Sequence, residues 1–275
     1  MAWSRLVVLH HLHDKLWEAF YPAPIDRIGS LVERKIAPLA YRSSTVATLA
    51  PSGRTDLINR TPLRADRIHV VRPGINDSFR VESPDHERSA TPLLLAVGRL
   101  TAAKQFDKAI RVLHAISDHH PGATLTIVGD GPERASLAAL IERLGLSERV
   151  TLVGRVSDDE LRRLYTSAWL LLATSLSEGW GMTLTEAAAA GTPAVATDII
   201  GHRDAMGEGA GVLAHSDEAF ASAVRSLLDD PAELAACSKR AFVSSQALSW
   251  DRTAAELLQL LVTGSLAPSR TRTRP

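Results

Sequence analysis

The sequence predicts an α/β chain built on a doubly wound parallel sheet, preceded by the closing part of a second sheet domain. Three observations predict it. From Pro92 onward, short apolar runs alternate with longer stretches of helical periodicity, the pattern of parallel strands joined by crossover helices. Most of those runs are too short and too uniformly apolar to be half-exposed, so they read as strands covered on both faces. The chain has 275 residues, 45% of them hydrophobic, which is ample to bury such a core.

Taken in order, residues 1–80 read as a strand at Leu6–Leu9, a helix near Arg27–Tyr41, and two short strands near Thr45–Leu49 and Ile68–Val71. Three strands leave an unpaired edge and an uncovered face, which a stable isolated domain avoids, so further strands are expected upstream. Arg72-Pro73-Gly74 and the polar stretch Glu82–Thr91 read as a hinge or linker. The second domain is expected over 81–249. Its strands fall at Leu93–Val97, Thr124–Val128, Val150–Val153, Trp169–Ala173, Ala194–Thr197 and, more weakly, Gly211–Ala214. Phe106, Ile110, Leu113 and Ile116 share one helical face that Pro121-Gly122 ends; Leu137, Leu140, Ile141 and Leu144 repeat the pattern, stopped by Gly145. A last helix over 250–264 and a disordered tail over 265–275 complete the chain.

Composition excludes several classes of function. The 31 Lys and Arg residues balance 31 Asp and Glu, which argues against nucleic-acid binding. The single cysteine, Cys237, has no intrachain partner and reads as a buried structural thiol in a reducing compartment. No run approaches eighteen apolar residues, and Leu6–Leu9 is too short for a secretory core, so the chain is expected to be cytoplasmic. Between Glu33 and Arg72, eight basic residues (Arg34, Lys35, Arg42, Arg54, Arg60, Arg64, Arg67, Arg72) face three acidic ones. Two readings stand open for that excess: a solvated helical face, and peripheral contact with anionic lipid at the inner face of a membrane.

The residues that carry chemistry lie at the predicted strand exits, where sheets of this kind bind ligands. Ser177–Thr192, SEGWGMTLTEAAAAGT, follows one strand and opens a helix. Gly179 and Gly181 leave backbone N–H groups unshielded, and the helix start adds its orphan donors and positive dipole end, a setting for phosphate. Glu178 and Glu186 bracket that pocket. Glu186 has a competing reading, because Thr183-Leu184-Thr185-Glu186 fits a capping box in which its carboxylate returns to the Thr183 N–H. Glu178 has no cap to make and no evident ion-pair partner in sequence. After an earlier strand, Gly98-Arg99 and Lys104 set two cations on the same edge, a fork and a point charge suited to a diphosphate, although Lys104 also suits a solvated helix start. GDGPER lacks the third glycine of a dinucleotide loop, and no Walker-type sequence occurs. His10, His11 and His13 with Asp14 lack the partners that would complete a metal site, so no metal is expected; a histidine there could hydrogen-bond an acceptor hydroxyl.

VGRLTAAKQFDKAI, IVGDGPER, LVGRVSDDEL, SEGWGMTLTEAAAAGTPAVAT and IIGH occur in that order between Leu93 and Arg203. Together they resemble the retaining GT-B glycosyltransferases of family 4, the glycosyl transferases group 1. HVVRPGIND and VVLHHLHDKLW resemble the same family's segments nearer the N-terminus. The resemblance implies an N-terminally shortened GT-B chain, one complete Rossmann-like domain with part of another, and a last helix that crosses back to the first. It implies transfer of a hexosyl-type sugar from a nucleoside-diphosphate sugar to the hydroxyl of a carbohydrate or lipid-linked acceptor, with retention and without a metal. The sugar nucleotide is then a co-substrate, and no resident cofactor is implied. By the same resemblance Arg99 and Lys104 hold the donor diphosphate, Glu186 the ribose hydroxyls, and Glu178 the transferring sugar. Gly179, Trp180, Gly181, Met182 and Thr183 line the nucleotide-sugar site, Arg155 and Val156 lie beside the base, and His11 is the acceptor-side histidine. Trp180 stands where the family usually has Phe, and His202 where a second glycine is common. The family's N-terminal glycine-rich loop is missing from this sequence. Two further readings follow from that gap and from reuse of the fold: a non-catalytic, nucleotide-binding remnant, and an epimerase or phosphorylase relative.

Overall fold

Burial on both faces is what makes short apolar runs into strands here. The computed structural model describes residues 5–266, which divide into two units: Ile75–Ala247, and the residues up to Gly74 together with those from Leu248 onward.

In the smaller unit, β1 (Leu6–Val8), β2 (Thr45–Thr48) and β3 (Ile68–Val70) pair in parallel in that order. The central strand is the buried one, and Val46 packs with Leu57, Leu63 and Ile68. Leu57 comes from a helix, Pro51–Arg60, that the sequence reading did not anticipate; its proline sits in the first turn, where no N–H is needed. The helix expected near Arg27–Tyr41 forms as three joined pieces, Ile25–Leu31, a wider π turn at Val32–Ile36, and Ala37–Tyr41. An additional helix, Asp14–Phe20, precedes them. Contacts between the two helical stretches are specific. Gly29 lies so close to the Trp17 ring that a Cβ would come within 2.5 Å of it, and Ser30 Oγ donates to Asp14 Oδ1. The opposite face leaves Ile25, Ile28, Leu31, Val32, Ile36 and Leu39 exposed, each between 42% and 56%.

Five of the eight basic residues of this region have partners within the unit. Arg34 and Arg60 meet Asp14, Arg64 meets Asp66, and Arg54 and Arg67 donate to backbone carbonyls. Arg72-Pro73-Gly74, read as part of a hinge or linker, closes the first segment of the smaller unit. Thr253 Oγ1, on the helix Trp250–Leu266, donates to the Arg72 carbonyl at 2.7 Å, and a Cβ on Gly74 would lie 2.2 Å from the Trp250 nitrogen. Of the tail expected to be disordered, residues 265 and 266 close that helix, and the remainder lies outside the described residues.

The larger unit holds β4 (Leu93–Val97), β5 (Thr124–Val128), β6 (Val150–Gly154), β7 (Leu170–Ala173), β8 (Ala194–Thr197) and β9 (Gly211–Ala214). All pair in parallel in the order β6-β5-β4-β7-β8-β9. The chain winds outward from β4 through β5 to β6, returns to lay β7 beside β4, and then winds the other way. Consecutive residues of β4 and β7 are buried because helices cover both faces. β6 departs from this expectation: it is an edge strand, and its burial alternates, with Thr151 and Val153 exposed.

The helix Phe106–Ile116 buries Phe106, Ile110, Leu113 and Ile116 as their spacing predicts, with Ala109 and Val112 beside them, and Arg134–Arg143 buries Leu137, Leu140 and Ile141. Each large apolar side chain so buried stabilises the unit by about 1.5–3 kcal/mol relative to exposure. Gly145 follows the second of these helices at φ +66°, a left-handed stop that glycine adopts without strain. The polar stretch expected as a linker is instead tied to this unit. Arg88 donates to the carbonyls of Ala168, Trp169 and Gly191 and to Ser238 Oγ, so its guanidinium ties together helix and strand ends of this unit.

Candidate functional site

The reversal in strand order places the loops after β4 and β7 side by side and sends their following helices to opposite faces, which opens a crevice at the C-terminal edge. Gly98-Arg99-Leu100-Thr101 leaves β4 and ends in a short turn, Ala102–Lys104. Gly129, on the loop after β5, presses against this segment: at φ +131°, a Cβ there would lie 1.9 Å from the Gly98 carbonyl oxygen. A Cβ on Gly131 would lie 2.4 Å from the Leu100 oxygen. The glycines of GDGPER thus brace the β4 exit by close backbone approach.

The exits of β4 and β7 are joined by hydrogen bonds. Leu176 N donates to Ala103 O at 2.8 Å, and Thr174 Oγ1 donates to Lys104 O at 2.7 Å. On that frame Lys104 Nζ meets Glu178 Oε1, and Ser175 Oγ donates to the same oxygen at 2.8 Å. Glu178 therefore has the ion-pair partner that its sequence neighbourhood lacked, supplied 74 residues away in the chain.

Beneath the β7 loop, Gly201 approaches so closely that a Cβ would stand 2.3 Å from the Glu178 carbonyl oxygen. Thr197 Oγ1 donates to Ser175 O at 2.7 Å, and His202 Nδ1 lies 2.9 Å from Thr197 O. His202 is 1% exposed, and burial holds its pKa below the ordinary histidine value, so the ring is neutral at pH 7 and donates from Nδ1. Sequence reasoning noted His202 only as a departure from family pattern; it is packed within 3.1 Å of where a Gly181 Cβ would lie.

Gly179, Trp180 and Gly181 are buried, and Trp180 Nε1 has no hydrogen-bond partner among the described residues. The helix Met182–Ala189 starts directly after Gly181, with no side-chain cap, so Met182 and Thr183 occupy its first two positions. Their N–H groups belong to the orphan set of a helix start. The capping box does not form. Because the helix begins one residue before Thr183, Glu186 falls in the second turn, too far along to reach back to an N-cap.

Glu186 instead accepts a hydrogen bond from Tyr165 Oη at 2.9 Å. Burial pushes its carboxyl up to about 7, the nearby Asp158 charge adds to that, and the Tyr165 hydrogen bond works against both. Tyr165 is fully buried, and nothing in its sequence context marked it, because the contact spans a complete crossover and 21 residues.

Arg99 is exposed and has no hydrogen bond or ion pair with another side chain among the described residues, so the two expected cations do not share one partner. Arg155 is exposed and Val156 half-buried, on the loop between β6 and the helix Asp158–Ser167. In the smaller unit, His13 stands at the start of the helix Asp14–Phe20 without a side-chain capping hydrogen bond, and its Nδ1 lies 2.6 Å from Glu33 Oε1; that hydrogen bond holds its pKa above the ordinary value. His11 is half-buried, its ring centroid 4.4 Å from that of His13, while His10 is exposed.

Residues 79–243 match the family model described as glycosyl transferases group 1. Over 262 residues the chain is 32% identical to a D-inositol 3-phosphate glycosyltransferase of Nocardia farcinica, covering 89% of this chain and 57% of that protein. It is 37% identical over 216 residues to a glycogen synthase of Mycobacterium tuberculosis, covering 78% of this chain and 51% of that one. Among solved structures, sucrose-phosphate synthase from Thermosynechococcus elongatus superposes with a TM-score of 0.81 at 23% identity, covering 96% of this chain and 68% of that chain. Anabaena Alr3699/HepE in complex with UDP superposes with a TM-score of 0.76 at 20% identity, covering 94% and 72%. The fold is therefore the α/β GT-B type with parallel sheets, and the chain spans about half the length of the curated relatives it matches.

Proposed function

The chain belongs to the glycosyl transferases group 1 family, and from that premise we propose that it binds a nucleoside-diphosphate sugar at the β4/β7 crevice and transfers the glycosyl group with retention. The observation that carries this reading is the meeting of Lys104 and Glu178 from two strand exits, beside a buried glycine-flanked loop and an uncapped helix start. A diphosphate needs a cation and oriented N–H donors, and Lys104 with the first N–H groups of the helix supplies both. Arg99, exposed at the same exit, would add its fork when the phosphates arrive. Glu178 would then leave Lys104 and accept from a hydroxyl of the transferring sugar, while Glu186 would accept from the pentose hydroxyls. Gly179, Trp180, Gly181, Met182 and Thr183 would line the phosphates and sugar, and Arg155 and Val156 the base.

In the reaction, the bond from the anomeric carbon to the β-phosphate oxygen breaks, and a new bond to the acceptor oxygen forms on the same face. The acceptor proton passes to the departing diphosphate. Stabilising the diphosphate charge as it grows is the main contribution assigned to Lys104, Arg99 and the helix N–H groups. His11 is assigned to the acceptor hydroxyl. UDP complexes of Anabaena Alr3699/HepE support a uridine nucleotide as the first donor base to test. Donor turnover by wild type, Glu178→Ala and Lys104→Ala tests the mechanism. Loss of turnover in both variants is expected; undiminished turnover in both would overturn it.

A lipid-linked acceptor at an anionic membrane surface is favoured by a separate observation. The six exposed apolar side chains between Ile25 and Leu39 form one stripe, with Arg27, Lys35 and Arg42 exposed along the same segment. An apolar face edged by cations suits the interface of an anionic bilayer.

A further inference from the structure

We propose that Tyr165 is a positioning residue for the donor pocket: its hydroxyl anchors Glu186 Oε2 and keeps the other carboxylate oxygen for the vicinal hydroxyls of the donor's pentose. The proposal rests on the donor reading above and deepens it.

Tyr165 is held at three points. Phe79 meets its ring edge-on, with centroids 5.7 Å apart and planes at 89°; Thr192 Oγ1 donates to its carbonyl at 2.5 Å; and its hydroxyl donates to Glu186 at 2.9 Å. A hydroxyl fixed in this way cannot follow a wandering carboxylate, so the carboxylate is oriented to it. The arrangement has no capping role, because the helix start at Met182 leaves Glu186 out of the first turn. Oε1 has no hydrogen-bond partner among the described residues, so one oxygen is fixed and one remains for a ligand.

A buried carboxylate that must be ionised to accept from two hydroxyls couples donor binding to proton release. The helix Met182–Ala189 carries no other charged residue. Of the groups on packed elements, Tyr165 and Asp158 from the helix Asp158–Ser167 act on Glu186. The other charged or titratable groups on the packed elements include His202, Asp77 and, on the helix Pro231–Ser245, Glu233, Lys239 and Arg240. Ribose-dependent affinity should therefore rise through about pH 7, where the Glu186 carboxyl loses its proton. Removing the Tyr165 hydroxyl takes away the interaction that favours the ionised form, so that rise should move to higher pH.

The test is calorimetric titration of the full chain with UDP, GDP and ADP and with their 2′,3′-dideoxy counterparts, between pH 5.5 and 8.5. Wild type should bind one ribonucleotide more tightly than its dideoxy form, increasingly so above pH 7. Tyr165→Phe should weaken the ribonucleotide about tenfold at pH 7, leave the dideoxy form unchanged, and shift the midpoint upward. Glu186→Gln, which keeps an acceptor for the Tyr165 hydroxyl, is the second variant and should lose the ribose preference at every pH. If Tyr165→Phe weakens both nucleotides equally, or neither, the positioning role is overturned while the donor site stands. If wild type binds no nucleoside diphosphate, the donor reading itself falls, and the positioning role with it.

Discussion

Replacing Glu186 by glutamine should stabilise the unliganded larger unit at pH 8 and leave it little changed at pH 5. Burial lifts the carboxyl from 4.5 to about 7. Between those values the folded chain holds a proton that the unfolded chain has lost, so stability falls as pH rises through the window and the loss is complete above about pH 7. At 1.36 kcal/mol per pKa unit, the full effect is about 3 kcal/mol. Glutamine stays neutral throughout and can still accept from the Tyr165 hydroxyl, so the difference between variant and wild type isolates the ionisation. Two units need not unfold together, so the measurement should be local: hydrogen exchange of β4 and β7 amides at pH 5 and pH 8, corrected for intrinsic rates. A stability difference that is the same at both pH values would show that Glu186 is not a buried, proton-holding carboxyl, and the reasoning would fail.

Three other outcomes follow from the same geometry. Glu178→Gln removes the anion that occupies Lys104, so a sugar-free nucleoside diphosphate should bind about threefold more tightly while donor turnover falls; the gain is kept small because both side chains are partly solvated, and unchanged affinity by calorimetry would disprove the competition. Gly129→Ala forces a Cβ against the Gly98 carbonyl and should lower stability by about 3 kcal/mol or more, whereas Gly145→Ala, with open space and only a left-handed φ to bear, should cost about 1 kcal/mol; equal melting points for the two variants would refute the close-approach argument. The chain should sediment with anionic vesicles at low salt, and Ile28→Asp with Ile36→Asp should release it; sedimentation that persists in the double variant would remove the apolar stripe as the cause.

How much was legible varied with the range of the interaction. The strands of the larger unit could be read almost to the residue, because a strand covered on both faces must be apolar at every position, and the central β4 and β7 are. The edge strand β6 runs one residue beyond its apolar run, and two of its five residues face solvent and obey no such demand. The helix Pro51–Arg60 escaped notice because its sequence is mostly polar, and only Gly53 and Leu57 are buried. Arg88 shows the converse: a polar residue in a polar stretch looked like linker, and only the folded chain reveals the four acceptors that hold it.

Local periodicity and short strings of residues were enough for the class of fold, for the strand exits that carry Arg99, Lys104 and Glu178, and for the family. They could not decide partners. Whether Glu186 caps its helix or accepts from Tyr165 turned on a one-residue difference in where the helix starts, and whether Glu178 is alone turned on Lys104, from a strand that becomes a neighbour only when the chain winds back past β4. Those are long-range facts, set by the order of strands in the sheet, and a hydrogen bond of a few ångströms leaves no trace in the spacing of residues that only the fold brings together.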